Sequence, residues 1–352
     1  MSLKDLESPP IVADRRESPP TLDRAARRGG LATASALSPA VAAMAALSLH
    51  QFLPDRQVLP MTWADSLPSW LHPYPVLLEA LLATSLIAAA ALGIWRRARP
   101  WGRHHAPLLA GALATVGLCD LMTVKFDWLP LPYFPGPDMV LAGMIDDRSI
   151  LFDSTYRSLK LLLSGYSVGV VAGLVSGVLM GWFRRVRYWG MPVMKVVGPI
   201  PATAFVPLAM VLFADSFLAG AALIALAVWF PVAMLTTSGI ANVPVSYFDV
   251  ARTLGAGRGF LIFRVAIPAA LPNVFIGLFM GLGASFLTLI VAETVGVKSG
   301  LGWYLKWQQG YAEYAKVYAA LIIMAVFFSS LMTLLFKARD WVLVWQKGTI
   351  RW

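Results

Sequence analysis

The sequence predicts an all-α fold, a polytopic bundle of helices whose solvent is lipid, and three observations predict it. Of the 352 residues 58% are hydrophobic and 14% charged, at a mean hydropathy of +0.67, which is more apolar surface than one water-soluble core can hide. The apolar residues gather into runs of about 20, the length a helix needs to cross the hydrocarbon layer. The basic residues are shared unequally between alternate loops, as the positive-inside rule requires of a membrane protein.

A helix is the form such runs must take, because it satisfies its own backbone hydrogen bonds where no water can. Eight runs qualify: Leu31 to His50, Tyr74 to Ile94, Ala106 to Val124, Arg157 to Trp182, Trp189 to Ala214, Phe217 to Ile240, Asn273 to Glu293 and Val317 to Phe336. With the N-terminus inside, the inner segments hold 20 of the 29 Lys and Arg residues. Both termini are therefore expected in the cytoplasm, after eight crossings. The net charge of +10 is mostly this asymmetry, so nucleic acid is not expected as a partner.

Residues 1–30 pair prolines (Pro9, Pro10, Pro19, Pro20) with a high density of charge and are expected to be a disordered cytoplasmic tail. The first two runs follow. Cys119 sits alone inside the third and cannot form an internal disulfide. His104 and His105 lie beside Arg103 with no carboxylate or Cys nearby, so no metal site is expected there. From Leu129 to Asp153 a stretch rich in proline and aspartate is expected as an ordered re-entrant segment on the outer face.

The fourth run carries Gly165, Gly169, Gly173, Gly177 and Gly181 at a strict spacing of four, which lines one side of a helix and lets another helix approach closely. The fifth holds Pro192, Pro199, Pro201 and Pro207. Broken backbone at membrane depth survives only inside protein or along a watery cavity, so this run is the first candidate for a pathway wall. Ionisable groups within runs are functional candidates by default, here Glu79, Asp120, Lys195 and Glu293. Glu79 and Asp120 lie near outer ends and are expected to reach interfacial water. Lys195 either snorkels to the inner face or draws an oxyanion into the cavity. The candidate pathway residues are thus Lys195, Pro199, Pro201 and Glu293.

Between the sixth and seventh runs lies NVPVSYFDVARTLGAGRGFLIFRVAIPAALPN, a segment too apolar for an ordinary inner loop. Tyr247, Phe248, Ala251 and Leu254 are spaced to share a helical face, and Gly255 follows where a left-handed cap needs no side chain. A second short helix over Phe260 to Arg264 is expected to close at Pro268 and Pro272. Such an element lies on lipid or fits a groove in a partner.

This segment resembles the cytoplasmic signature of ABC-type importer permeases, in which Glu-Ala-Ala, three residues, Gly, nine residues and Ile-x-Leu-Pro follow one another. Asp249-Val250-Ala251, Gly255 and Val265-Ala266-Ile267-Pro268 match it with both spacings kept; Asp, Val and Ile stand for Glu, Ala and Leu. The glycine ladder, Gly198-Pro199-Ile200-Pro201 with Pro207-Leu208, and Ala292-Glu293 with Gly300-Leu301-Gly302 resemble the nitrate, sulfonate, taurine and bicarbonate branch. The likeness runs from Ala106 to Trp341.

The resemblance implies a six-helix permease core over 106–342, with its coupling loop at 241–272. Two additional N-terminal transmembrane helices over 31–100 and a cytoplasmic tail at 343–352 flank it. It implies a homodimer in the inner membrane that moves a small anion inward. Its partners would be ABC ATPase subunits, which dock on the loop, and an extracytoplasmic substrate-binding protein. Asp249, Ala251, Leu254, Gly255, Ile267 and Pro268 would form the coupling element. ATP and Mg would belong to the ATPase, with no cofactor on this chain. None of the nine lysines follows a glycine, so no phosphate-binding P-loop is present. The competing reading is a secondary transporter driven by an ion gradient, which would show repeated halves with paired intramembrane charges. No loop or span assembles a nucleophile with a base, so an enzyme is not expected.

Overall fold

The computed structural model describes residues 22–55, 71–94 and 99–346, and among these it contains helices and turns but no strand. The described helices fall into two compact units that divide between Asp127 and Trp128.

The first unit comprises α1 (Leu22–Phe52), α2 (Pro73–Ile94) and α3 (Arg99–Asp120), and α3 ends in a π turn, Leu121–Lys125. Two expectations change here. Helix α1 starts at Leu22, inside the segment expected to be a disordered tail, because the chain from Leu22 to Arg28 has no proline and is rich in Ala and Arg. Residues 1–21 lie outside the described residues. The span at Ala106–Val124, expected as the first helix of the core, instead groups with α1 and α2. Small residues allow it: Ala40, Ala43 and Ala46 of α1 are buried, and a Cβ at Gly117 would lie 3.1 Å from Ala46.

Asp120 does not reach water. It is buried and accepts from or pairs with His50 Nδ1 at 3.0 Å. Lys125 donates to the carbonyls of His50 at 2.6 Å and Leu53 at 2.8 Å and pairs with Asp55. These carbonyls close a helix end that has no further turn to receive them. Glu79 is exposed on α2.

The second unit is built on α5 (Arg148–Trp182) and α8 (Ser216–Ala241). A Cβ added to the five glycines of α5 would lie 2.6 Å from Ile224, 2.6 Å from Ala225 O, 2.7 Å from Val232, 2.6 Å from Thr236 and 2.8 Å from Ile240. On α8 the facing positions are Ile224, Val228, Val232, Thr236 and Ile240, all β-branched, all buried and also four apart. Each branched knob thus sits in a glycine gap, and Thr237 Oγ1 donates to Gly177 O across the seam at 3.2 Å. On the opposite side of α8 lies α11 (Ile267–Val295), where Gly277 and Gly281 approach Val232 and Val228 in the same way.

The fifth run forms two helices joined at a sharp bend, as its prolines require, rather than one continuous helix. Helix α6 (Arg184–Val197) and the segment Ala202–Leu212, which ends in α7 (Val206–Leu212), meet at 83°. Pro199 and Pro201 remove the donors that a continuous helix would need there, and Pro207 sits in the first turn of α7, where none is lost. Arg187 turns the chain after α5 by donating to the carbonyls of Met180 and Gly181.

The loop between α8 and α11 carries α9 (Val245–Thr253) and α10 (Arg258–Phe260), and α10 runs through a π turn, Leu261–Ala266, straight into α11. Pro268 and Pro272 therefore do not close a separate short helix. The π turn hands its last bond to Ile267 N–H, which donates to Ile262 O, so Pro268 falls in a first turn whose donors are unused. At the other end of the unit are α4 (Pro137–Asp146) and α12 (Leu301–Gly310), and the described chain closes with α13 (Tyr314–Val342).

Five described helical stretches are long and apolar enough to cross a membrane, and the bent pair makes a sixth if taken as one span. The apolar stretches in α1 and α2, Leu37–Phe52 and Pro73–Ala88, are shorter.

The seam yields a direct expectation. Gly169→Ala puts a methyl 2.6 Å from the Ala225 carbonyl, whereas nothing lies within 4 Å of a Cβ at Gly283. Thermal unfolding in detergent should show Gly169→Ala destabilised by about 1–3 kcal/mol and Gly283→Ala unchanged or slightly stabilised. Equal behaviour of the two would contradict the packing described.

Candidate functional site

Three places in the second unit bring functional side chains together. In the loop between α8 and α11, α9 presents two faces. Phe248 and Ala251 turn inward; Phe248 packs with Ile240, Ala266 and Ala270, and its ring stands 5.8 Å from that of Trp182. Val245, Tyr247, Val250 and Leu254 face outward, with Leu254 83% exposed. The four apolar residues expected on one face are thus split, because the loop must both grip its own bundle and leave apolar surface free. Asp249 is exposed and pairs with Arg252 at 3.1 Å.

Helix α9 ends at Gly255, whose φ is +83°, the left-handed region that costs an L side chain. The following Ala256 N–H reaches back to Ala251 O at 3.0 Å, closing the helix in Schellman fashion. Beside this turn runs a surface groove of about 520 Å3, bounded by Tyr247, Val250, Arg264, Pro268 and Trp345. Of the residues expected in the coupling element, Pro268 lines the groove and Ile267 is half-buried beside it, while Asp249 and Leu254 point elsewhere on the exposed face.

The second place is a cleft of about 340 Å3 halfway along the helices. The bend supplies Val197, Gly198, Ile200, Pro201 and Thr203, α8 supplies Leu226 and Phe230, and α11 supplies Met280, Leu287 and Thr288. Gly198 is required for it, since a Cβ there would stand 2.1 Å from the Phe230 ring. Among the described residues no charged side chain lines the cleft, and the hydroxyls that line it are those of Thr203 and Thr288. Of the four residues expected on the pathway, Pro201 lines it; Lys195 and Pro199 are exposed outside it, and Glu293 is buried further along α11.

Glu293 belongs to the third place. Its carboxylate accepts from Ser158 Oγ at 2.6 Å and from Gly302 N–H at 2.7 Å, and Ser158 Oγ in turn accepts from Leu301 N–H at 2.9 Å. Nearby, Asp147 accepts from Tyr304 Oη at 2.7 Å and Gln308 Nε2 at 3.1 Å, and pairs with Lys316 at 3.3 Å. Burial, and then the bond to Asp147, push the Tyr304 hydroxyl above the usual tyrosine range, so it remains a donor.

Ser158, Asp147 and Tyr304 belong to this buried network and are residues that sequence reasoning passes over. Each is ordinary in its local sequence, and only its hydrogen-bond partners, 135 to 161 positions away, make it special. Among the described residues no group of three His, Cys, Asp or Glu is placed to hold a metal ion.

Residues 169–342 match the family described as the inner membrane component of binding-protein-dependent transport systems. The chain is 34% identical over 176 residues to a putative aliphatic sulfonates transport permease of Bacillus subtilis, an overlap of 50% of this chain and 64% of that one. It is 29% identical over 218 residues to a probable ABC transporter permease of Brucella abortus, of which it spans 87%. A bicarbonate transport system permease of Synechococcus elongatus is 32% identical over 187 residues, and the chain spans 65% of it.

The turn at Gly255 gives a second expectation. Nothing lies within 4 Å of a Cβ there, so Gly255→Val acts through backbone strain alone, at about 1–3 kcal/mol. Gly257→Ala meets neither a neighbour nor a positive φ. Limited proteolysis should cut the loop faster in Gly255→Val and at the parental rate in Gly257→Ala.

Proposed function

We propose, from the match of residues 169–342 to the family of inner membrane components of binding-protein-dependent transport systems, that the chain is the permease subunit of an ATP-driven importer, coupled to ATPase subunits through the α9–α10 loop. One observation carries the reading. The loop keeps apolar Val245, Tyr247, Val250 and Leu254 exposed beside a groove, while Phe248 anchors it to the bundle. A surface so built is made to be covered by a protein partner.

The remaining parts of the proposal follow from the family and the charge distribution. The chain works as one of two permease copies, receives solute from an extracytoplasmic binding protein, and has both termini in the cytoplasm. ATP and Mg act on the ATPase, with no cofactor held here. The solute is a small anion of the nitrate, sulfonate, taurine or bicarbonate class. Within that class the uncharged cleft favours an organic anion with an apolar body. A bare inorganic ion would lose its water there with no countercharge in return, which is costly, whereas aliphatic carbon finds Ile200, Leu226, Phe230 and Leu287.

Reconstitution with the cognate ATPase and binding protein tests the proposal. Uptake into proteoliposomes should require ATP hydrolysis, and Gly255→Val should keep membrane insertion yet lower solute moved per ATP by about tenfold, the equivalent of about 1.4 kcal/mol in coupling. Uptake by this chain alone along an ion gradient, or an unaltered ratio in Gly255→Val, would overturn it.

A further inference from the structure

We infer that Glu293 is a positioning residue for import: its buried carboxylate, with Ser158, fastens the outer helix α12 onto the spans α5 and α11 and so sets the outer mouth of the pathway. The inference rests on the reading of the chain as an import permease.

Helix α12 cannot cap itself. Its N-cap is Gly300, which has no side chain to offer, and the N–H groups of its first turn have no partner within the helix. Leu301 N–H and Gly302 N–H donate instead to Ser158 of α5 and Glu293 of α11. The carboxylate is 2% exposed and both its oxygens are engaged, so the three helices are tied at one point that excludes water. A charge-assisted bond in such a place is among the stronger ties available to a helix end.

The backbone is shaped around this contact. A Cβ at Gly300 would fall 2.1 Å from Glu293 Oε1, and one at Gly302 would fall 3.0 Å from Oε2. Gly300 also holds φ +98°, a conformation that other residues rarely adopt. The spacing of Glu293 with Gly300 and Gly302 is therefore explained by one requirement: the chain must fold back on the carboxylate after only a few residues.

The same turn of α11 reaches the pathway. Ala292 is buried among Val206, Ala209 and Leu223, the packing of the bent pair's outer half, and a Cβ at Gly296 would strike Met210 of α7. Five residues earlier on α11, Thr288 lines the cleft. Helix α12 is thus held to the very turn that supports α7, and a displacement of either is felt by the other through close-packed contacts. An apolar side chain could fill the volume of Glu293 without desolvation cost, so the carboxylate buys geometry more than stability.

The test uses the full complex of permease, ATPase and binding protein in proteoliposomes, reading solute imported per ATP hydrolysed for the wild type, Glu293→Ala, Glu293→Gln and Ser158→Ala. Glu293→Ala should lower the ratio about tenfold. Glu293→Gln keeps the shape, an acceptor for Gly302 and a donor for Ser158, and should stay within about threefold of wild type. Ser158→Ala, which removes the donor to Glu293 and the acceptor of Leu301 together, should fall about threefold and serves if Glu293→Ala does not assemble. A merely structural role would lower the yield of complex and leave the ratio untouched. An unchanged ratio in Glu293→Ala or in Ser158→Ala overturns the inference while import by the wild type stands. Absence of ATP-dependent import by the wild type would instead remove the reading on which it rests.

Discussion

The second unit depends on the contact between α5 and α8. In lipid two helices gain nothing by hiding apolar surface from each other, since the surroundings are equally apolar, and association must come from close packing and from bonds between backbones. Five glycines facing five β-branched residues at matched spacing supply that packing from Gly165 to Gly181 of α5 and from Ile224 to Ile240 of α8. The branched side chains add stiffness, because Ile224, Val228, Val232 and Ile240 each have one favoured rotamer on a helix and lose little freedom on docking.

What the seam fixes determines where everything else can lie. With α8 held by α5 on one side and by Gly277 and Gly281 of α11 on another, the bend at Gly198–Pro201 rests against Phe230, and a cleft opens between three rigid walls. Toward one end, Ile240 and Trp182 come together and form the seat of Phe248, which carries the α9 loop. Toward the other end, Ser158 on α5 and Glu293 on α11 reach a common point and hold α12. Motion at the loop and motion at α12 are therefore both referred to the same central pair.

The legible parts of this architecture were those whose chemistry is unusual for a membrane. A glycine every fourth residue, prolines inside an apolar run, a carboxylate within a span and an amphipathic loop all stand out against lipid-facing Leu, Val and Ala. The partner surfaces did not stand out. Ile224, Val228, Val232, Thr236 and Ile240 lie in a helix that is apolar on every side, so nothing in the pattern separates the buried stripe from the lipid-facing one. The pairing of Asp120 with His50 joins positions 70 residues apart and was read as interfacial water contact. The rule that proline ends a helix failed at Pro268, because it holds for interior positions and a π turn had converted this one into a first turn. The grouping of α3 with α1 and α2 rests on small-residue contacts that alanine-rich helices offer in many directions.

The central claim is that the α9 turn faces the cytoplasm and is gripped there by an ATPase. Leu254 is exposed at that turn, and the native Cys119 is also exposed, so the measurement needs Leu254→Cys in a Cys119→Ser background. Cross-linking of that cysteine to the ATPase in inside-out vesicles, at a yield that changes when ATP is supplied, is the predicted result. Labelling of the cysteine by an impermeant reagent from outside intact cells, with no cross-link to the ATPase, would contradict the account.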